Sequence, residues 1–453
     1  MSEISILNEI DQHKEEYIEF LKKIIQADSI NPPGNEKNVA LIIEEYLKGE
    51  GIKTEVFPFG ENRANLIALL NNNFDSKCLV FNGHMDVVPP GDEKEWKYPP
   101  LSAFIKRNKF MFGRGTIDMK TSLSAMVIAL SILKKFNIKT TRNIVLNAVA
   151  DEETGGELGA KWCLENYLQP KNLNCNFLII GEPTTLNPLP KAIILGEKGH
   201  IQLKIVTYGI SCHSSIPFVG KNAISMMSEI VLHLDELDGF LPKVEPSMSK
   251  ERIKELMSVV FPTKENFDKV YNEVPIIQNF VKSLIQCTKS INMISGGIKE
   301  NVIPDRCEAI MDIRTLPGQK TEMLVEALKK LIEKIGYEVR NTPHGNPEDV
   351  FVYLELIRDA EASYWKNWEK SKKLKYLYSL IERIYEKRPF YSQLPAGSDA
   401  RYYRESGYCN KTLLFGAGNA SKAHTIDESI ELEDFIKVIK VYALFSFDYL
   451  KKP

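Results

Sequence analysis

The chain has 453 residues, enough for more than one domain and an ample core. Although 26% of its residues are charged, the formal net charge is only −2, so no basic excess points to nucleic acid or an anionic membrane surface. Seven scattered cysteines, none in a C-x-x-C pair, argue against a disulfide framework and for a reducing compartment. No apolar run is long enough to cross a bilayer, and residues 1–25 read as an amphipathic helix of mixed charge rather than a signal peptide. The expectation is a cytoplasmic α/β protein with no membrane or nucleic-acid partner.

Residues 4–26 carry Ile10, Tyr17, Leu21, Ile24 and Ile25 along one side and predict a helix. A loop at Asn31-Pro32-Pro33-Gly34 precedes a second helix over 36–48, and strands are expected at 53–57 and 65–70. The short apolar run Leu79-Val80-Phe81 reads as a buried strand ending in Asn82-Gly83-His84-Met85-Asp86. A His and an Asp two apart suit a metal site, since the carboxylate can hold the second imidazole nitrogen and fix the tautomer. The chain returns through Gly113-Arg114-Gly115 to Asp118 and enters a helix over 121–136. The strand 143–150 ends in Asp151-Glu152-Glu153-Thr154-Gly155-Gly156, and the strand 177–180 in Gly181-Glu182-Pro183-Thr184. Three strands thus finish in His or carboxylate residues, and open α/β sheets bind ligands at the carboxyl ends of their strands.

The pattern changes near Gly196. A strand over 201–208, a helix over 222–237, strands near 291–298 and 310–314, a helix over 322–335 and a strand over 337–341 give the order βαββαβ. This predicts a ferredoxin-like α+β unit at 195–345, inserted between 1–194 and 346–453 of the first domain. Beyond it, Tyr364-Trp365-Lys366-Asn367-Trp368 is an aromatic cluster of unread role, 374–386 a helix, and 391–401 a glycine-containing loop entering a helix. A strand over 412–415 leads to Ala423-His424-Thr425, and a helix over 432–450 closes the chain.

Taken alone, each piece has an ordinary explanation: a surface His-Asp pair, a solvated acidic patch, a turn, a loop histidine. Together, His84, Asp118, Glu153, Glu182 and His424 divide between two metal ions, one His and one terminal carboxylate each, with one Asp bridging. Mixed N/O ligation suits zinc, with cobalt or manganese as substitutes. Ions about 3.5–4 Å apart can hold a hydroxide and polarise a carbonyl. Glu152, beside a ligand but facing the other way along a strand, is placed to act as general base.

These segments, in order, resemble the co-catalytic zinc amidohydrolases that include acetylornithine deacetylase, succinyl-diaminopimelate desuccinylase, glutamate carboxypeptidase and aminoacylase. The likeness extends through His213-Ser214-Ser215, Asn301-Val302-Ile303-Pro304-Asp305, Asp312-Ile313-Arg314, Gly397-Ser398-Asp399-Ala400-Arg401 and Ala423-His424-Thr425. It implies a zinc-peptidase-like catalytic domain with an inserted lid and dimerisation domain. One ion would sit on His84 and Glu182 and the other on Glu153 and His424, bridged by Asp118, whose peptide bond to Met119 is often cis in such proteins. Asp86 would orient His84, and Glu152 would be the base. His213 and Asn301 would polarise the scissile carbonyl, in dimeric relatives from the partner subunit. Arg314 would grip a substrate carboxylate, with Gly397 and Ser398 lining the same pocket. His13, His200, His233 and His344 match no motif and read as structural or solvent-facing. The sequence departs from compact relatives in its long 238–291 and 348–370 segments, and in Ala396-Gly397-Ser398 where two glycines are common.

The leading expectation is a two-zinc hydrolase cleaving the amide of an N-acylated amino acid or short peptide with a free carboxylate. A carboxypeptidase or dipeptidase is the alternative. A catalytically silent binding relative should have lost a ligand or the base, and none is missing. A two-metal phosphoesterase lacks a basic cluster for phosphate.

Overall fold

The computed structural model describes residues 2–71, 77–138 and 140–451. Its main sheet of ten strands follows the order Lys53–Phe59, Arg63–Leu69, Asn143–Val149, Lys77–His84, Asn174–Ile180, Thr412–Leu414, Leu189–Glu197 and Ser363–Tyr364, with Phe390–Leu394 and Thr185–Leu186 also on Leu189–Glu197. Asn143–Val149, Lys77–His84, Asn174–Ile180 and Thr412–Leu414 run parallel side by side. The register sets His84 opposite Val149, Asn82 opposite Ile180, and Leu414 opposite Ile180, so all four strands end along one edge. Most of their residues are buried, as expected of central parallel strands. On one side pack Lys120–Lys135, buried from Lys120 to Leu133, and the closing helix Leu432–Lys451.

A second sheet has five strands in the order Thr288–Gly296, Arg306–Arg314, His200–Tyr208, Phe351–Ala360 and Val339–Arg340. Helices Ala223–Leu232 and Thr321–Ile335 cover it, enclosing a separate core that includes Leu203, Met227, Met311, Leu328 and Leu331.

The structure differs from the expected elements at several points. The first helix is two, Glu3–Gln12 and Lys14–Gln26, meeting at His13. Phe351–Ala360, placed by the sequence in the first domain beyond residue 345, is a main strand of the second sheet, while 337–341 contributes only the two-residue edge strand Val339–Arg340. A bulge at Ile357 explains the misreading: Gln202 pairs with Arg358 but Leu203 with Leu356, which breaks the period-two pattern. The long 238–291 segment, assigned to the insertion, forms helices Lys250–Ser258, Lys264–Glu273 and Pro275–Ile285. Their buried Met257, Phe267 and Val281 join the first core, not the second. The boundaries 195 and 345 therefore do not coincide with the packing. Phe390–Leu394, expected as loop, is a strand parallel to Leu189–Glu197. The aromatic cluster is core: Trp365 meets Phe177 edge-on at 5.8 Å, and Trp368 packs on Tyr391 at 4.5 Å.

Candidate metal centre

Each candidate ligand leaves the sheet edge just described. His84 ends its strand, Glu153 follows the strand Asn143–Val149, Glu182 lies just past Ile180, and His424 closes the loop after Thr412–Leu414. Asp118 immediately precedes the helix Lys120–Lys135, and its peptide bond to Met119 is cis. Close backbone approach completes the edge: a Cβ on Gly416 would lie 2.0 Å from the Gly181 carbonyl and 2.6 Å from that of Glu182. Only glycine lets this loop pass so near a candidate ligand.

The Asp118 carboxylate stands between two imidazoles. Its Oδ1 is 3.0 Å from His84 Nε2 and its Oδ2 is 3.2 Å from His424 Nε2. Glu182 Oε1 lies 3.7 Å from His84 Nε2, and Glu153 Oε1 lies 3.2 Å from His424 Nε2. The five side chains thus form two groups, each a histidine with a glutamate, sharing one aspartate. Ligand atoms of His84, Asp118 and Glu153 all fall within 4.8 Å of one another.

The electrostatics call for positive charge. Burial pushes the carboxyl groups of Glu152 and Glu182 well above the usual range and also raises Glu153. Burial opposes charge on Asp118 too, yet hydrogen bonds from His424 and His84 hold it below the ordinary carboxylate value. His84 is desolvated, but Asp118 and Glu182 keep its pKa well above normal; hydrogen bonds to Asp118 and Glu153 lift His424 to about 10. Glu182 Oε1 is buried with no hydrogen-bond partner. A buried acceptor of this kind calls for a donor or an ion. Two imidazole nitrogens, two terminal carboxylates and one shared carboxylate fit a pair of divalent cations.

Support comes from groups the sequence analysis only partly identified. His84 Nδ1 is 2.9 Å from the Asp86 main-chain oxygen and 3.6 Å from the Asp86 carboxylate. The backbone, rather than the expected side chain, therefore fixes the tautomer and leaves Nε2 facing the cluster. The Asp86 carboxylate is occupied elsewhere, accepting from the Glu152 and Glu153 amides at 3.2 and 3.1 Å and from Asn31 at 2.9 Å. It shapes the turn bearing both glutamates. Arg114 and Glu428, unassigned in sequence, form a buried ion pair at 2.6 Å. Glu428 also accepts from the Ile117 and Asp118 amides, while Arg114 donates to the carbonyls of Thr425, at 3.3 Å, and His424, at 3.5 Å. The pair therefore ties the Asp118 loop to the His424 loop. The only sequence signal for it was an arginine inside a glycine turn.

Asp118, Glu152, Glu153, Glu182 and His424 line a cleft of about 330 Å³, with His84 beneath. Arg314 and Gly397 line the same cleft. Arg314 also donates to Asp312 at 2.9 Å. The Ser398 hydroxyl borders the cleft but is turned onto Glu197. His213 and Asn301 do not line the cleft. They lie together on a small ribbon where His213 pairs with Val302, and His213 Nδ1 contacts Ser215 at 2.7 Å. His200, read as structural, does line it.

Glu428→Gln leaves Arg114 buried without its counter-charge, and breaking such a pair costs about 3–5 kcal/mol. The expected result is a clearly lower melting temperature together with weaker metal retention on dialysis. A wild-type melting curve with full metal retention would contradict this role.

Comparison with known proteins agrees with the geometry. Residues 80–447 match the family described as Peptidase family M20/M25/M40. A probable succinyl-diaminopimelate desuccinylase of Staphylococcus aureus (strain N315) is 29% identical over 447 residues, covering 97% of this chain and 98% of the relative. Among solved structures, a di-peptidase from Saccharomyces cerevisiae superposes with a TM-score of 0.73 at 17% identity, covering 100% of this chain and 99% of that one. A metallo-carboxypeptidase from Sulfolobus solfataricus gives 0.72 at 22% identity, covering 95% and 97%. With the family match spanning most of the chain, and the histidine and carboxylate cluster at the strand ends, the protein belongs to peptidase family M20/M25/M40 and is a metal-dependent hydrolase.

Proposed function

We propose that the protein hydrolyses the amide bond of an N-acylated amino acid or short peptide that carries a free carboxylate, using two zinc ions, for which cobalt or manganese can substitute. The observation that carries this reading is the Asp118 carboxylate between His84 and His424, each with its own glutamate, at the floor of a cleft that Glu152 also lines. His84, Glu182 and one Asp118 oxygen would hold the first ion; His424, Glu153 and the other oxygen would hold the second. When bound, such ions supply Lewis-acid polarisation of a carbonyl and activation of water as a nucleophile.

The chain's own residues do the rest. Glu152 accepts the proton of the attacking water and delivers it to the departing nitrogen, so that amide and water become carboxylate and amine. Its carboxylate is half-buried, accepts no hydrogen bond among the described residues, and has a raised affinity for a proton, all of which suit a base that must also act as an acid. Arg314, steadied by Asp312, holds the substrate carboxylate. The name of the Staphylococcus aureus relative favours acyl-group removal, whereas the solved structures named as di-peptidase and metallo-carboxypeptidase keep peptide cleavage as the alternative.

Glu152→Ala is expected to lower kcat by at least ~100-fold on N-acetyl, N-succinyl or dipeptide substrates while elemental analysis still finds two metal ions per chain. Loss of metal with loss of activity would instead make Glu152 a ligand, and full activity would end its role as base.

His213 and Asn301 enter this scheme through a second copy of the chain. The strand Thr288–Gly296 is an unpaired edge of the five-stranded sheet. On it Met293 is 67% exposed, just past it Ile298 is 91% exposed, and Leu232, at the end of the helix Ala223–Leu232, is 79% exposed. An apolar edge of this kind favours pairing with another strand. We infer a homodimer across this face, in which the partner's ribbon brings its histidine to the cleft to stabilise the oxyanion. Leu232→Glu combined with Ile298→Glu is expected to yield a monomer by analytical ultracentrifugation, with kcat lowered ~100-fold or more. A wild-type protein that is monomeric yet fully active would overturn the inference.

A further inference from the structure

Three cysteines lie side by side at the end of the main sheet away from the metal centre. Cys78 and Cys175 are paired residues on the neighbouring strands Lys77–His84 and Asn174–Ile180. On the other side of Asn174–Ile180, Thr412 pairs with Leu178, and Cys409 and Cys175 each stand three residues before that pair. The Cys175 thiol therefore sits between the other two and interacts with both. The candidate ligands His84 and Glu182 stand at or just past the opposite ends of the same two strands.

The three sulfurs form a row rather than a metal-holding triangle: among the described residues, only ligand atoms of His84, Asp118 and Glu153 come within 4.8 Å of one another as a group of three. The two neighbouring pairs in the row differ in geometry. Cys78 and Cys175 are both held in a parallel ladder, whose strands stand about 4.7–4.9 Å apart, whereas the Cβ atoms of a disulfide prefer about 3.5–4.5 Å. Cys409 precedes its strand, which begins at Thr412, so no ladder sets its distance from Cys175. A turn positions it instead: its amide donates to the Tyr403 carbonyl at 2.8 Å, and its carbonyl accepts from the Thr412 hydroxyl at 2.6 Å.

The two thiols of the second pair are unlike. Burial opposes ionisation of both, and it pushes Cys175 well above the usual thiol value. At Cys409 the neighbouring Cys175 thiol and the Lys411 backbone N–H outweigh burial and hold the group below that value. The thiolate is the nucleophilic form of cysteine, so Cys409 is the attacking sulfur and Cys175 the resolving one. Cys78 and Cys409 are buried, but Cys175 is only half-buried, which opens the row to a small oxidant.

We propose that Cys175 and Cys409 form a reversible disulfide when the protein meets hydrogen peroxide, which makes this end of the sheet a redox-modification site separate from the metal centre. The Cys409 thiolate attacks one peroxide oxygen and breaks the O–O bond, giving a sulfenic acid and hydroxide. The Cys175 sulfur then bonds to Cys409 Sγ, and the sulfenic oxygen leaves as water with the Cys175 proton. Counting the proton first lost from Cys409, two thiols are oxidised by two electrons in all and one peroxide is reduced to two waters. A dithiol reductant restores both thiols by exchange.

The test exposes the full-length protein to hydrogen peroxide, blocks the remaining thiols with N-ethylmaleimide in denaturant, and maps the unreduced peptides by mass spectrometry. The expected product joins the Cys175 and Cys409 peptides, with two of the seven thiols lost and both regained in dithiothreitol. Those two should disappear at least ~10-fold faster than Cys163, a buried thiol whose pKa burial raises. This measurement is made on the wild-type protein, so it does not depend on how any variant folds. In C175S, dimedone should trap the Cys409 sulfenic acid that the wild type passes on to the disulfide, while C78S should form the Cys175–Cys409 bond as the wild type does. A Cys78–Cys175 bond, overoxidation of Cys409 with no disulfide, or retention of all seven thiols at a peroxide dose that oxidises the urea-unfolded chain would overturn the proposal.

Discussion

The structure depends on one electrostatic constraint: Asp118, Glu152, Glu153 and Glu182 face a single buried point, and such a concentration of carboxylates is stable only if positive charge lies among them. His84 and His424 supply part of that charge, one on either side of Asp118. The burial that lifts the carboxyl pKa values also gives a bound cation its strength, because a low-dielectric setting magnifies each ionic contact. The proposed ligands, the proposed base and the cleft are in this sense one arrangement, and the fold serves to hold it together.

The sheet does so by bringing distant segments to a common edge. Four parallel strands end together, and the loops that leave them are fixed to one another rather than left to the solvent. Asp86 draws the Glu152–Glu153 turn under the histidine loop, while Arg114 and Glu428 join the segment before Asp118 to the one that follows His424. Orienting groups of this kind tune a metal site as much as the ligands do. His200, on the strand between those that bear Arg314 and Arg358, joins them by contacting Asp312 on one side and Arg358 on the other.

Much of the metal cluster was legible in the sequence because short apolar runs that stop at His or Glu leave a local signature. Lys77–His84, Asn143–Val149 and Asn174–Ile180 each showed it, and their buried carboxyl-terminal halves suit parallel pairing. What escaped were contacts that depend on tertiary proximity. His200 has no neighbouring motif, and its partners Asp312 and Arg358 lie 112 and 158 residues away. Glu428 was one acid among several in a loop, and only folding pairs it with Arg114. Phe351–Ala360 was hidden by its bulge, and Phe390–Leu394 by the glycine-containing loop that follows it. Asp86 was expected beside His84 and is there, but its carboxylate serves the glutamate turn, a distinction that only coordinates could draw.

The measurement that bears most directly on the central claim is anomalous X-ray diffraction from crystals of the zinc-loaded protein. The account predicts two peaks about 3.5–4 Å apart, one beside His84 and Glu182 and the other beside His424 and Glu153, with an Asp118 oxygen on each. A single peak, or a pair away from Asp118, would contradict it.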